Sequence, residues 1–202
     1  MDKILFVTDA QHLSNKAMDF AGFICQLSRS GLTGIFLGNA AAGGFKKACE
    51  ARSIKGTLYA EEAVSREAVI AESRYADLVL LPADGQLFAG AGCPVVVMPA
   101  HFEGLDQLIF IYDGEPAGVH AIKQFTYLFP ELKDLPLQVI CAREIEAPLK
   151  GWLTDHYRDV VITRHSGDGL RELVAGKERS FIVVSEAVPA KRVANQALFI
   201  LN

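Results

Sequence analysis

The chain is poor in the features that mark specialised proteins, and each shortage closes a class. Its four cysteines include no Cys-x-x-Cys pair, so a disulfide framework, a zinc ribbon and a thioredoxin-like redox centre have no sequence basis. Cys25, Cys93 and Cys141 have apolar residues beside or near them, and all four, Cys49 included, read as reduced thiols in a core. His12, His101, His120, His156 and His165 share no ligand spacing, which gives a metal no obvious seat. There is no excess of positive charge: the net charge is −4 over 202 residues, and the pI of about 5.7 lacks the footprint that a phosphate backbone demands. Nucleic acid is therefore excluded as a partner. No apolar run approaches the ~18 residues of a membrane span. Residues Met1-Asp2-Lys3 lead straight into Ile4-Leu5-Phe6-Val7, far short of the roughly 7–15 apolar residues of a secretory signal. The expectation is a cytoplasmic protein with no membrane partner. The sequence also lacks G-x-S-x-G, G-x-x-x-x-G-K-[ST] and His-Glu-x-x-His, so no nucleophile elbow, Walker loop or zincin helix is legible.

What is present is ordinary globular chain, 50% apolar and 22% charged, enough to bury a sizeable core. It is organised as a repeat. An offset of 104 aligns Lys3–Met98 with Gln107–Asn202 without a gap, with seven identities in 96 positions. Identity at that level is close to chance; the register rests on apolar runs falling on apolar runs. Residues 1–104 carry nine Lys/Arg against eleven Asp/Glu and residues 105–202 carry eleven against thirteen, so each half has net charge −2. Two domains, 1–102 and 103–202, are expected.

Within each half, short apolar runs alternate with helical stretches, the signature of successive βα units on a parallel sheet. Ile4–Val7 answers Leu108–Ile111, Ile35–Leu37 answers Val139–Cys141, and Thr57–Tyr59 answers Val160–Ile162. Leu78–Leu81 and Phe181–Val184 make fourth strands, and Val95–Met98 and Leu198–Leu201 make fifth strands. Ser14 is placed to cap the first helix, with Gly31 at its exit, and Pro116 opens the matching helix. The next helices are expected over Phe45–Ala51 and Leu149–His156, and the third ones at Ser65 and Asp168. Runs such as Val95-Val96-Val97 show no polar alternation, which means strands covered on both faces. The fold class is α/β: two repeated, doubly wound, mainly parallel five-stranded sheets in a three-layer sandwich.

Phe6-Val7-Thr8-Asp9 followed by a helix opening near Ser14, then Asp77-Leu78-Val79-Leu80-Leu81 and Cys93-Pro94-Val95-Val96-Val97, resembles the universal stress protein family. The second half resembles it more weakly, through Ile111-Tyr112-Asp113-Gly114-Glu115-Pro116 and Phe181-Ile182-Val183-Val184-Ser185. The resemblance implies a tandem chain with the three-layer fold shared by universal stress proteins and adenine-nucleotide hydrolases. It also implies ATP or AMP bound at the carboxyl ends of the central strands. In the family, phosphates are held by a loop after strand four patterned Gly, two residues, Gly, nine residues, Gly, Ser/Thr, whose glycines let backbone amides converge on an anion. Here only the ten residues Ala83–Gly92 separate Pro82 from Cys93, with Gly85, Gly90 and Gly92 out of spacing. The counterpart Ala187–Gln196 has no glycine.

These shortened loops imply a protein that binds without catalysis, needs no cofactor and serves a protein or small-molecule partner in stress response. The alternative is an ATP- or AMP-binding stress protein. The switch-point rule for open sheets places any remaining ligand around Thr8, Asp9, His12, Asp84 and Gly85, since Val188 and Pro189 stand opposite Asp84 and Gly85 in the second half. A carboxylate such as Asp9 or Asp113 can accept from a ligand, though Asp after a strand more often caps its own turn. A ten-residue crossover leaves room for little helix, so a parallel fifth strand is expected with an antiparallel one as the alternative. Leu198–Leu201 and Val95–Met98 are equally apolar, and pairing them would join the halves as an internal pseudo-dimer, with a further homodimer open.

Overall fold

The computed structural model describes residues 1–9, 13–37, 42–60, 62–82, 90–165, 177, 179–185 and 196–201. The chain divides into two compact units, Met1–Phe102 and Glu103–Leu201.

The first unit runs β1 (Lys3–Thr8), α1 (Asn15–Ser28), β2 (Gly31–Phe36), α2 (Ala42–Glu50), β3 (Gly56–Leu58), α3 (Arg66–Ser73), β4 (Leu78–Leu81) and β5 (Val95–Val97). Its strand order is β3-β2-β1-β4-β5. Every pairing among them is parallel, including β4 with β5 through Val79↔Val95 and Leu81↔Val97. The antiparallel alternative for the fifth strand is thereby set aside. Alternate residues of the central strands face opposite layers. Leu5, Val7, Ile35, Val79 and Leu81 pack with Val69 of α3, while Phe6 and Phe36 meet Phe45 of α2 at centroid distances of 6.0 and 5.9 Å. Helices therefore cover both faces, and the three-layer arrangement follows.

Local signals are obeyed in most places. Ser14 Oγ accepts from the Ala17 amide at 3.1 Å, and Ser65 Oγ accepts from the Ala68 amide at 3.2 Å, so both helices start at their capping serines. Several boundaries differ, as in the start of α5 at Ala147 rather than Leu149. Helix α1 leaves through Arg29, whose φ of 53° is left-handed, and Gly31 is already the first residue of β2. Helix α2 begins at Ala42 rather than Phe45, taking two glycines into its first turn. Glycine is a weak helix former, but burying Phe45 between Phe6 and Phe36 holds the segment.

The second unit runs β6 (Gln107–Tyr112), α4 (Pro116–Leu128), a 3-10 turn (Pro130–Asp134), β7 (Leu137–Cys141), α5 (Ala147–His156), β8 (Val160–Arg164), β9 (Ser180–Ser185) and β10 (Ala197–Leu201). Its order is β10-β9-β6-β7-β8, again parallel throughout. The core beneath α4 is aromatic: Phe125 touches Phe110, Phe181 and Phe199 edge-on at 5.6, 4.9 and 5.3 Å. The helix expected from Asp168 lies outside the described residues.

Candidate functional site

The first-half site expected from the sequence is described only in part. Thr8 is the buried last residue of β1; its hydroxyl reaches the Asp9 carbonyl at 3.3 Å and its own carbonyl accepts from Leu37 at 2.8 Å. Asp9 follows it, half-buried at the carboxyl end of the central strand. His12, Asp84 and Gly85 lie outside the described residues. Of the shortened loop, Gly90 has a φ of +89° with open space around it. Gly92 is differently placed: a Cβ there would stand 2.8 Å from the Arg74 Cα, and its amide donates to Ser73 Oγ at 2.8 Å.

The corresponding strand ends of the second unit are described in full. β6 ends in Tyr112, Asp113 follows, and Ser185 ends the adjacent β9. Asp113 Oδ1 accepts from the Glu115 amide at 2.9 Å and Asp113 Oδ2 accepts from Ser185 Oγ at 2.9 Å. The carboxylate thus closes its own turn and fastens two strand ends across the place where the sheet order reverses. Gly118 allows this. A Cβ on α4 at that position would lie 3.0 Å from both Asp113 Oδ1 and the Tyr112 ring.

Tyr112 is buried, and its hydroxyl donates to Glu146 Oε2 at 2.8 Å, at the start of α5. Burial first, then the Glu146 carboxylate, pushes the phenol up to about 12, so it remains a donor throughout the neutral range. Beside this pair, α4 and α5 leave an open groove of about 470 Å³, within the roughly 300–1,000 Å³ typical of small-molecule sites. Tyr112 and Glu146 line it, with Val119 and Lys123 from α4 and Pro148 and Trp152 from α5. Trp152 stacks on His156 at 3.9 Å and meets Tyr127 edge-on at 6.3 Å, so its ring is held from two sides.

A search of solved structures gives a match along nearly the whole chain. It is similar to the crystal structure of a universal stress protein from Archaeoglobus fulgidus DSM 4304, with a TM-score of 0.68 and 13% identity over 98% of this chain and 95% of that one. The fold is that of a universal stress protein. No known family's sequence model matches the chain, and no curated protein matches it either. At 13% identity the likeness rests on backbone architecture.

The groove beside Tyr112 was not among the sites expected from the sequence, which looked to the first half. A weak signal existed, since Tyr112, Lys123, Glu146 and Trp152 stand at the 104-residue offset from Thr8, Asp19, Ala42 and Ala48. Large and charged residues replace small or neutral ones at three of those four positions. The cysteines behave as expected: all four are buried and free, and burial raises Cys25 and Cys93 to about 12 and Cys49 to about 11. Among the described residues, no group of three or more His, Cys, Asp or Glu gathers to hold a metal, and no helix is long and apolar enough to cross a membrane.

Proposed function

We infer that this is a tandem universal-stress-protein-like chain that acts in the stress response by binding a partner, without catalysis and without holding ATP in the family's usual way. The observation that carries this reading is Gly92. Its amide, which a phosphate loop would aim at an anion, is taken by Ser73, and its α-carbon is pressed against Arg74. The last glycine of the shortened loop is spent on closing α3. A loop of ten residues then retains only Gly85 and Gly90 to shape an anion site. The cytoplasm is the compartment this reading implies.

Thermal denaturation with ATP, AMP and inorganic phosphate tests it, because a ligand at about 100 times its dissociation constant adds roughly 2.7 kcal/mol. Millimolar ATP is expected to leave the midpoint unchanged, with no hydrolysis detected. A rise of several degrees with ATP and not with phosphate overturns this reading. It would favour an adenine nucleotide held by the first unit with its adenosine against Asp9. Gly90 is the feature that supports that second reading, since its left-handed φ of +89° and open surroundings are what a phosphate-facing turn uses.

The sequence further supports an internal pseudo-dimer, with the apolar fifth strands covering one another. Truncation after Gln196 is then expected to lower the solubility of the remaining chain. Unchanged melting of a monomeric truncated chain would sink that part of the proposal.

A further inference from the structure

We propose that the groove between α4 and α5 is a binding site for a small aromatic carboxylate, with the ring between Val119, Pro148 and Trp152 and the carboxylate on Lys123. The proposal goes beyond the stress-protein reading and does not depend on whether the first unit takes a nucleotide.

The walls argue for a flat apolar body. Pro148 is rigid, Val119 has one dominant rotamer on a helix, and Trp152 is fixed by His156 behind it and Tyr127 at its edge. The His156 Nδ1 also lies 2.8 Å from the Trp152 carbonyl, which ties the stacking partner to the same turn of α5. A wall that is already ordered costs little further entropy when a ring is laid against it. The floor is the Tyr112 ring, whose hydroxyl is committed to Glu146.

The charges argue for an anion. Glu146 already accepts the Tyr112 hydroxyl, so part of its capacity is spent. Lys123 has no ion pair among the described residues, although it lines the same groove as Glu146. A second cation stands beside Gly114, which also lines the groove: Arg143 Nη1 lies 4.0 Å from the place a Cβ on Gly114 would take. An anionic group at Lys123 would pair with a cation that has no ion pair among the described residues, beside the apolar walls of Val119, Pro148 and Trp152 that strengthen the attraction.

The corresponding interhelical face of the first unit is crossed by an arginine. At the 104-residue offset, His156, Lys123 and Val119 correspond to Arg52, Asp19 and Asn15. There Arg52 Nε donates to Asp19 Oδ1 at 2.7 Å and Arg52 Nη2 donates to the Asn15 carbonyl at 3.1 Å, so one side chain from the turn after α2 reaches α1. The second unit has lost that bridge at all three positions and gained a tryptophan.

Trp152 is the only tryptophan in the chain, so emission excited at 295 nm reports on this groove alone. The test titrates the full chain with 4-nitrobenzoate, corrected for inner-filter absorption, and runs benzylamine in parallel. Saturable quenching at sub-millimolar concentration is expected, weakened at least tenfold in Lys123→Ala and largely restored in Lys123→Arg. Val119→Phe, which fills the groove, is expected to abolish it; melting curves establish that each variant is folded. Linear quenching that is the same in wild type and Lys123→Ala overturns the proposal. So does benzylamine binding as tightly as the carboxylate.

Discussion

Ser185 Oγ donates to Asp113 Oδ2 at 2.9 Å, joining the carboxyl ends of β9 and β6 where many open α/β sheets hold a ligand. With Asp113 Oδ1 on the Glu115 amide, both carboxylate oxygens are engaged in holding the chain. Ser185→Ala is expected to cost about 1.5–3 kcal/mol, the loss of one hydrogen bond to a charged acceptor. Asp113→Ala removes both bonds and is expected to cost more than Ser185→Ala. Urea denaturation midpoints give the two values, and equal losses would show that the bond from the Glu115 amide contributes nothing.

Gly90 and Gly92 are two residues apart and answer to different physics. Alanine at Gly92 would place its Cβ 2.8 Å from the Arg74 Cα, against backbone that cannot rotate aside. About 1–3 kcal/mol of destabilisation is expected, as for other overpacked sites. Alanine at Gly90 meets open space and suffers only from the φ of +89°, a cost of about 1 kcal/mol. Comparing the two midpoints checks the order; Gly90→Ala as the worse variant would contradict this account of the loop.

The strand pattern was legible because burial on both faces leaves an uninterrupted apolar run, as in Leu78–Leu81 and Val95–Val97. The helix starts at Ser14 and Ser65 were legible because a side-chain cap is a local interaction. The exit of α1 was not, since Arg29 rather than glycine takes the left-handed position. The parallel pairing of β5 with β4 and of β10 with β9 is the expected one, although a ten-residue crossover by itself satisfies either direction. The groove beside Trp152 was not legible: Val119, Lys123, Pro148 and Trp152 belong to two helices, and their meeting depends on how α4 and α5 lie on the sheet. His156 is half-buried because it stacks on Trp152 four residues earlier.

Tyr157 and Thr126 make a buried polar pair inside the aromatic core of the second unit. Thr126 Oγ1 donates to the Ile122 carbonyl at 2.8 Å, so the Tyr157 hydroxyl, 2.6 Å away, is the donor between them. Burial pushes the phenol well above its ordinary value and keeps it protonated. Tyr157→Phe is expected to cost about 1 kcal/mol. Thr126→Val is expected to cost about 1–3 kcal/mol, because it strands a buried donor. The double variant should be less destabilised than the sum of the two. Strict additivity in the double-mutant cycle would show that the pair does not interact.

Asp77 ties the start of β1 to the turn before β4: its Oδ2 accepts from the Asp2 amide at 2.7 Å and from the Lys3 amide at 3.0 Å. Burial works against its charge, but the Lys3 and Asp2 amides and the terminal amino group outweigh that and hold its carboxyl below the ordinary range. A carboxylate depressed in the folded state contributes stability that is fully present above its unfolded value, about 3.9, and is lost as the pH falls through its folded one. The wild type should therefore lose this contribution progressively below about pH 4. Asp77→Asn should be less stable than wild type at pH 7, and the gap should narrow as the pH drops. Urea midpoints at pH 7, 5, 4 and 3 check the sign, and a gap that widens on acidification would show that the amides favour the neutral side chain.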